Sequence, residues 1–126
     1  MEEFVKFFKA LSDKTRLKIV WLLSKADSSL CVCEIIDSLN ESQYNVSRHL
    51  RALTNAGLLR EKKEGRWVYY SLISPINQFH ELILQAVATL PEELFAMESE
   101  RLKKRISLRK NGRCVAGMKS EECNKI

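Results

Sequence analysis

The stretch from Ser42 to Leu72 constrains the fold most, because its periodicity changes once and abruptly. Up to Ala56, Val46, Leu50 and Leu53 recur on one side of a helical projection, and Tyr44, Arg48, Arg51 and Asn55 on the other. Past Gly57, residues 58–63 and 66–72 read as two strands, the second rich in aromatic and β-branched side chains. Glu64-Gly65 between them is a predicted tight turn, since glycine takes a positive φ at no steric cost. A helix running straight into a hairpin cannot bury its own apolar side, so the rest of the chain must cover it.

The flanking sequence supplies that cover. Residues 2–11 place Phe4, Phe7, Phe8 and Leu11 on one helical stripe. Ser12 is expected to cap a second helix, with Asp13 in its first turn and Leu17, Val20, Trp21 and Leu23 inside. Ser28 or Ser29 is expected to start a third, short helix with Val32, Ile35, Ile36 and Leu39 on one face. Ser42 caps the fourth, and Gly57 suits the left-handed position after its end. Ser74-Pro75 is expected to open a further helix striped by Ile76, Phe79, Ile83, Val87 and Leu90. Pro91 then kinks or restarts the chain, a charged segment runs to about Lys110, and the tail beyond Asn111-Gly112 reads as loosely ordered.

This order predicts a mainly α fold with a β-hairpin wing, a winged helix-turn-helix whose third and fourth helices form the DNA-reading pair. Residues 1–98 read as the DNA-binding and dimerisation domain, and residues 99–126 as a basic C-terminal extension carrying Cys114 and Cys123. The Phe4/Phe7/Phe8 stripe and the stripe from Ile76 to Leu90 exceed what one small domain buries. A homodimer through the first and last helices is therefore expected.

The net charge of +5 is distributed in blocks. Residues 1–41 carry −1, residues 42–66 carry +4, residues 67–98 carry −4 and residues 99–126 carry +6. No acidic residue occurs between Ser42 and Arg60, so the fourth helix has an exposed face fit for a major groove of double-stranded operator DNA. Ser42 and Gln43 sit where a helix N-terminus meets a phosphate, and Tyr44, Asn45 and Ser47 lie alongside. Arg48 is the expected base contact, Arg51 serves a base or a phosphate, and Lys62, Lys63 and Arg66 reach the backbone or adjacent minor groove. No run of about 18 apolar residues exists to span a membrane. The N-terminus is acidic and then amphipathic, unlike a signal peptide, so a cytoplasmic protein with reduced thiols is expected. There is no Gly-rich phosphate loop, no nucleophile with a paired base and no catalytic zinc spacing, so neither an enzyme nor an organic cofactor is expected.

Four ordered motifs resemble the ArsR/SmtB family of repressors over roughly residues 5–90. They are Leu11-Ser12-Asp13-Lys14-Thr15-Arg16-Leu17-Lys18-Ile19 with Leu30-Cys31-Val32-Cys33-Glu34-Ile35; Ser42-Gln43-Tyr44-Asn45-Val46-Ser47-Arg48-His49-Leu50; Ala56-Gly57-Leu58-Leu59; and Glu64-Gly65-Arg66-Trp67-Val68-Tyr69-Tyr70. The resemblance implies a dimer that represses its operon until an inducer ion binds. Cys31-Val32-Cys33 resembles the branch responsive to As(III) or Sb(III), and soft ions of this kind prefer thiolates. A helix N-terminus lowers thiol pKa values, but residues two apart on a helix point to opposite sides. Shared binding by Cys31 and Cys33 is thus expected to unwind the third helix's first turn, or to select a form already unwound there. Where the best-known variant of the motif has a further cysteine, this chain has Ile36. A three-coordinate ion then needs a ligand from elsewhere: Cys114 leads, because a similar tail recurs in some members, Cys123 ranks second, and a small-molecule thiol or no third ligand stays open. A zinc-type site on the last helix is not expected: His49 reads as structural or phosphate-facing, His80 as a surface or dimer-interface residue. Two alternatives stay open. One is a redox or persulfide sensor with Cys114 or Cys123 as resolving thiol; the other is an effector-blind module binding protein or RNA.

Overall fold

The structure, a computed structural model, describes residues 1–26 and 28–118. Helix α1 (Glu2–Leu11) ends in Ser12, whose hydroxyl donates to the Lys9 carbonyl at 2.9 Å. The cap of α2 (Lys14–Lys25) is therefore Asp13, whose carboxylate accepts from the Arg16 N–H at 3.0 Å, and not Ser12 as expected. With one hydroxyl committed to the end of the first helix, the next residue opens the second.

Neither Ser28 nor Ser29 starts the third helix. Leu30–Cys31 forms a short strand, β1, and α3 runs Val32–Leu39 with Cys31 as its N-cap. Helix α4 (Gln43–Asn55) is capped by Ser42, whose Oγ accepts from the Asn45 N–H at 3.1 Å. At its other end Gly57 adopts φ +91°. Its N–H reaches the Thr54 carbonyl and the Leu58 N–H reaches Leu53, the paired bonds of a Schellman stop.

Strands β2 (Leu59–Glu64) and β3 (Trp67–Leu72) form the hairpin, with Glu64 opposite Trp67 and Gly65-Arg66 as the two-residue loop. Strand β1 adds to the far side of β3, placing Leu30 opposite Tyr70 and Cys31 opposite Tyr69, in the antiparallel order β1-β3-β2.

Ser74-Pro75 stays in the connection. Helix α5 (Gln78–Ala88) is capped by Asn77, whose Oδ1 accepts from the His80 N–H at 2.8 Å. Pro91 restarts the chain as expected: a 3-10 turn (Glu92–Phe95) leads into α6 (Ala96–Ile106), which crosses position 98 and packs along α3.

Beyond α6 the chain is packed rather than loose up to Met118. Asn111 (φ +54°) and Gly112 (φ +73°) make a reversal closed by reciprocal backbone bonds between Lys110 and Arg113. Two positive φ angles favour Asn-Gly at such a turn. It sends Cys114 and Met118 back into the core. That core is centred on Trp21, stacked on Phe95 at 4.4 Å, with Ile19, Leu22, Ile35, Leu50 and Leu53 around it. A second layer joins α1 to α5, where the Phe79 ring meets Phe4, Phe7 and Phe8 at 5.0, 5.8 and 5.5 Å.

Candidate thiol centre and nucleic-acid interface

Three of the four cysteines converge. Cys31 at the cap of α3, Cys33 in its first turn and Cys114 in the tail are 0%, 6% and 3% exposed. The Cys31 thiol hydrogen-bonds with both Cys114 and Cys33. Cys123 lies outside the described residues. The expected opposition of Cys31 and Cys33 does not occur. Cys31 precedes the helix in an extended conformation (φ −70°, ψ 148°), so the two thiols meet with the first turn of α3 intact. The sulfurs are neighbours rather than a finished cage. No set of three or more His, Cys, Asp or Glu side chains among the described residues is already spaced to hold a metal ion.

A buried arginine and a half-buried one shape this centre. The Arg105 guanidinium donates to the carbonyls of Ala116 (2.7 Å) and Gly117 (3.2 Å), lies 3.6 Å from the Cys114 Sγ, and brings its Nε to 3.4 Å from Asp37. Arg109 grips both oxygens of the fully buried Glu34 at 2.6 Å and also donates to the Ser29 carbonyl and the Ser28 hydroxyl. Glu34 in turn accepts the Cys31 N–H at 2.8 Å, as in a capping box. The Cys114 N–H donates to the Tyr69 hydroxyl at 2.9 Å.

These contacts divide the thiols. The hydrogen bond from Cys31, aided by the Arg105 charge, holds the Cys114 thiol below its ordinary pKa although burial opposes it. The same bond to Cys114, then that to Cys33 and burial, push the Cys31 thiol up. The helix N-terminus was expected to lower the pKa values of Cys31 and Cys33; the Cys31 thiol is instead raised, and the lowered thiol is Cys114. The four charges around the sulfurs, Arg105, Arg109, Glu34 and Asp37, sum to zero.

On the other side of α3, Tyr44 is 79% exposed on α4, and Ser42, Gln43, Arg48 and Arg51 are exposed with it. Asn45 and Ser47 are half-buried. The Asn45 amide donates to Glu41, and its Oδ1 accepts from Arg48 Nη2 at 2.7 Å, which presets the guanidinium. Lys62, Lys63 and Arg66 are exposed on the hairpin, Arg66 lying 4.6 Å over the Trp67 ring. His49 is buried with its Nδ1 3.1 Å from Arg16 Nη1, so it is structural rather than phosphate-facing. His80 is also buried, against the Phe7 ring at 4.8 Å, and accepts the Ile76 N–H through Nδ1. It is not a surface residue of the subunit.

Sequence reasoning did not find Glu34, Tyr69, Arg105, Arg109 or Arg113. A partial signal existed: Arg105 and Arg109 are four apart in a helical pattern, and Glu34 stands three after a cap position.

Residues 13–61 match the arsR family of bacterial regulatory proteins. The arsenic resistance transcriptional regulator ArsR1 of Pseudomonas putida is 37% identical over 95 residues, 75% of this chain and 73% of that protein. The chain belongs to the arsR family. The arsenical resistance operon repressor of Escherichia coli K12 is 48% identical across 54% of this chain and 57% of its own length. A Staphylococcus aureus homologue of the cadmium resistance regulatory protein CadC is 47% identical across 56% and 57%. Among solved structures, HlyU from Vibrio cholerae is similar at a TM-score of 0.60 and 28% identity, covering 75% of this chain and 94% of that one. This arsR-family chain is a transcriptional regulator with the winged-helix fold expected from its sequence. No helix among the described residues is long and apolar enough to cross a membrane.

Proposed function

We propose that this regulator is a homodimeric repressor that binds operator DNA and is released when As(III), or the chemically similar Sb(III), binds Cys31, Cys33 and Cys114. The observation that carries this reading is the meeting of three buried thiols inside a shell of balanced charge. Arsenite as As(OH)3 exchanges its three hydroxyls for three thiolates. The thiol protons leave with them as three waters, and the product is neutral. A divalent ion held by the same three thiolates leaves one uncompensated negative charge in a buried site, which costs several kcal/mol or more. The site therefore favours a trivalent metalloid over cadmium or zinc. Closing three thiols on one ion requires the sulfurs to move from their present spacing, and that movement links binding to DNA release.

In the DNA-bound form Arg48 reads a base edge and Arg51 a base or phosphate. Tyr44, Asn45 and Ser47 lie along the groove wall, Ser42 and Gln43 meet a phosphate, and Lys62, Lys63 and Arg66 follow the backbone from the wing. Arsenite titration with thiol counting tests the centre. Three thiols per subunit are protected in the native protein and in Cys123→Ser, and two in Cys114→Ser. Operator release is lost in Cys31→Ser/Cys33→Ser. Full release by arsenite in that double variant sinks the reading.

The Cys31–Cys114 contact favours a second reading, in which these thiols form a disulfide by giving two electrons and two protons to a thiol oxidant. Release by arsenite under strong reductant separates the two.

A further inference from the structure

We infer that Tyr69 and Arg113 are the positioning residues through which the thiol centre acts on the wing. The inference rests on the metalloid reading above and adds the route of its signal. Tyr69 occupies a singular place in the sheet. Its Cα partner on one side is Cys31 and on the other is Lys62, so one line across three strands joins a thiol to a wing cation. Its hydroxyl accepts the backbone N–H of Cys114 at 2.9 Å, and its ring is buried. Tyr69 is thus bracketed by two of the three cysteines, one by register and one by hydrogen bond.

Arg113 makes the second tie. Its guanidinium reaches Glu64, the last residue of β2, at 2.9 Å, and stands 5.4 Å over the Tyr69 ring. It is fixed at its backbone by the Asn111-Gly112 turn. The residue that holds the hairpin end is therefore the immediate neighbour of the cysteine that must move. Closing on an ion shared with Cys31 and Cys33 takes the Cys114 thiol proton and ends its bond to the Ala116 carbonyl at 3.3 Å, and it pulls on the backbone whose N–H is tied to Tyr69. That pull is passed to β3 and to the β2 end carrying Lys62 and Lys63. Helix α3 need not unwind for this route, since its first turn already lets Cys31 and Cys33 meet. A movement of about an ångström at a packed strand is enough, because packed elements shift between discrete arrangements rather than deform smoothly.

The test reads the ratio of operator Kd with and without arsenite, so changes in basal affinity cancel. Native protein is expected to give a ratio of about 5–150. Tyr69→Phe, which removes only the hydroxyl, and Arg113→Gln should each lower it, and the double variant should lower it about fivefold or more. All three should still protect three thiols on arsenite titration and unfold in a cooperative urea transition, the second of which a general loss of packing would not allow. In amide NMR spectra of the native protein, Lys62, Lys63 and Gly65 should shift on adding arsenite, and in the double variant they should shift less. An unchanged ratio in the double variant with three thiols protected, or wing amides that do not move in the native protein, overturns this route and leaves the metalloid reading standing. Absence of thiol protection in the native protein removes both.

Discussion

Arg48 and Lys63 are both exposed cations, but they differ in what surrounds them. Arg48 is held by Asn45 on a helix face with no acid, whereas Lys63 stands on the strand of the wing. Arg48→Ala should relax sequence preference and cost roughly 1–3 kcal/mol at its base pair. Lys63→Ala should weaken all sequences alike and flatten the salt dependence by about one unit. Titrations on operator and random DNA at several salt concentrations separate these effects. The two histidines set a pH limit. Burial holds His80 below its ordinary pKa, and does so for His49 against the opposing pull of Asp13. The unfolded chain then takes up protons first as pH falls through about 6.5. The stabilisation is complete above that pH and is lost as pH drops toward the folded values. The urea midpoint should fall between pH 7 and pH 5, and His80→Gln, which keeps an acceptor for the Ile76 N–H, should flatten the decline.

At the scale of elements, the stops and starts carry much of the specification. Gly57 closes the reading helix with φ +91°, and a Cβ built there meets only a Phe7 ring carbon at 3.7 Å, an ordinary contact. The cost of Gly57→Ala is therefore in the backbone, about 1–2 kcal/mol, and Gly57→Asn should cost less. Urea unfolding of the two variants measures the difference. The Schellman stop, the Ser42 cap and the Gly65 loop were legible in sequence because each is a local demand on φ or on an orphan N–H. Strand β1 was not legible. Two residues have no periodicity, and their partners Tyr69 and Tyr70 lie far along the chain. For the same reason the sequence pattern alone puts Cys31 inside the helix and makes its meeting with Cys33 depend on an unwound first turn.

For the whole molecule, the faces left uncovered point to association. Phe8 is 58% and Leu82 53% exposed, on the α1 and α5 helices that pack together through Phe79. Covering that layer with a second subunit is the expected dimer contact. Phe8→Glu combined with Leu82→Glu should shift sedimentation from dimer to monomer and weaken operator binding about tenfold or more, while the far-ultraviolet circular dichroism stays native. The amino-acid sequence by itself determined the order of helices, the hairpin, the acid-free reading face and the thiol chemistry. Each is written in periodicity, in turn residues, or in the presence of a side-chain type. Only the tertiary structure placed Cys114 beside Cys31 and Cys33. Cys114 reaches them because Arg105 and Arg109 tie α6 and the following turn to α3, and because Asn111-Gly112 reverses the chain. Such long-range pairings of buried charge leave no period in a sequence. They also leave the Cys114 thiol below its ordinary pKa and the helix-capping Cys31 thiol above it, through the contact between the two sulfurs.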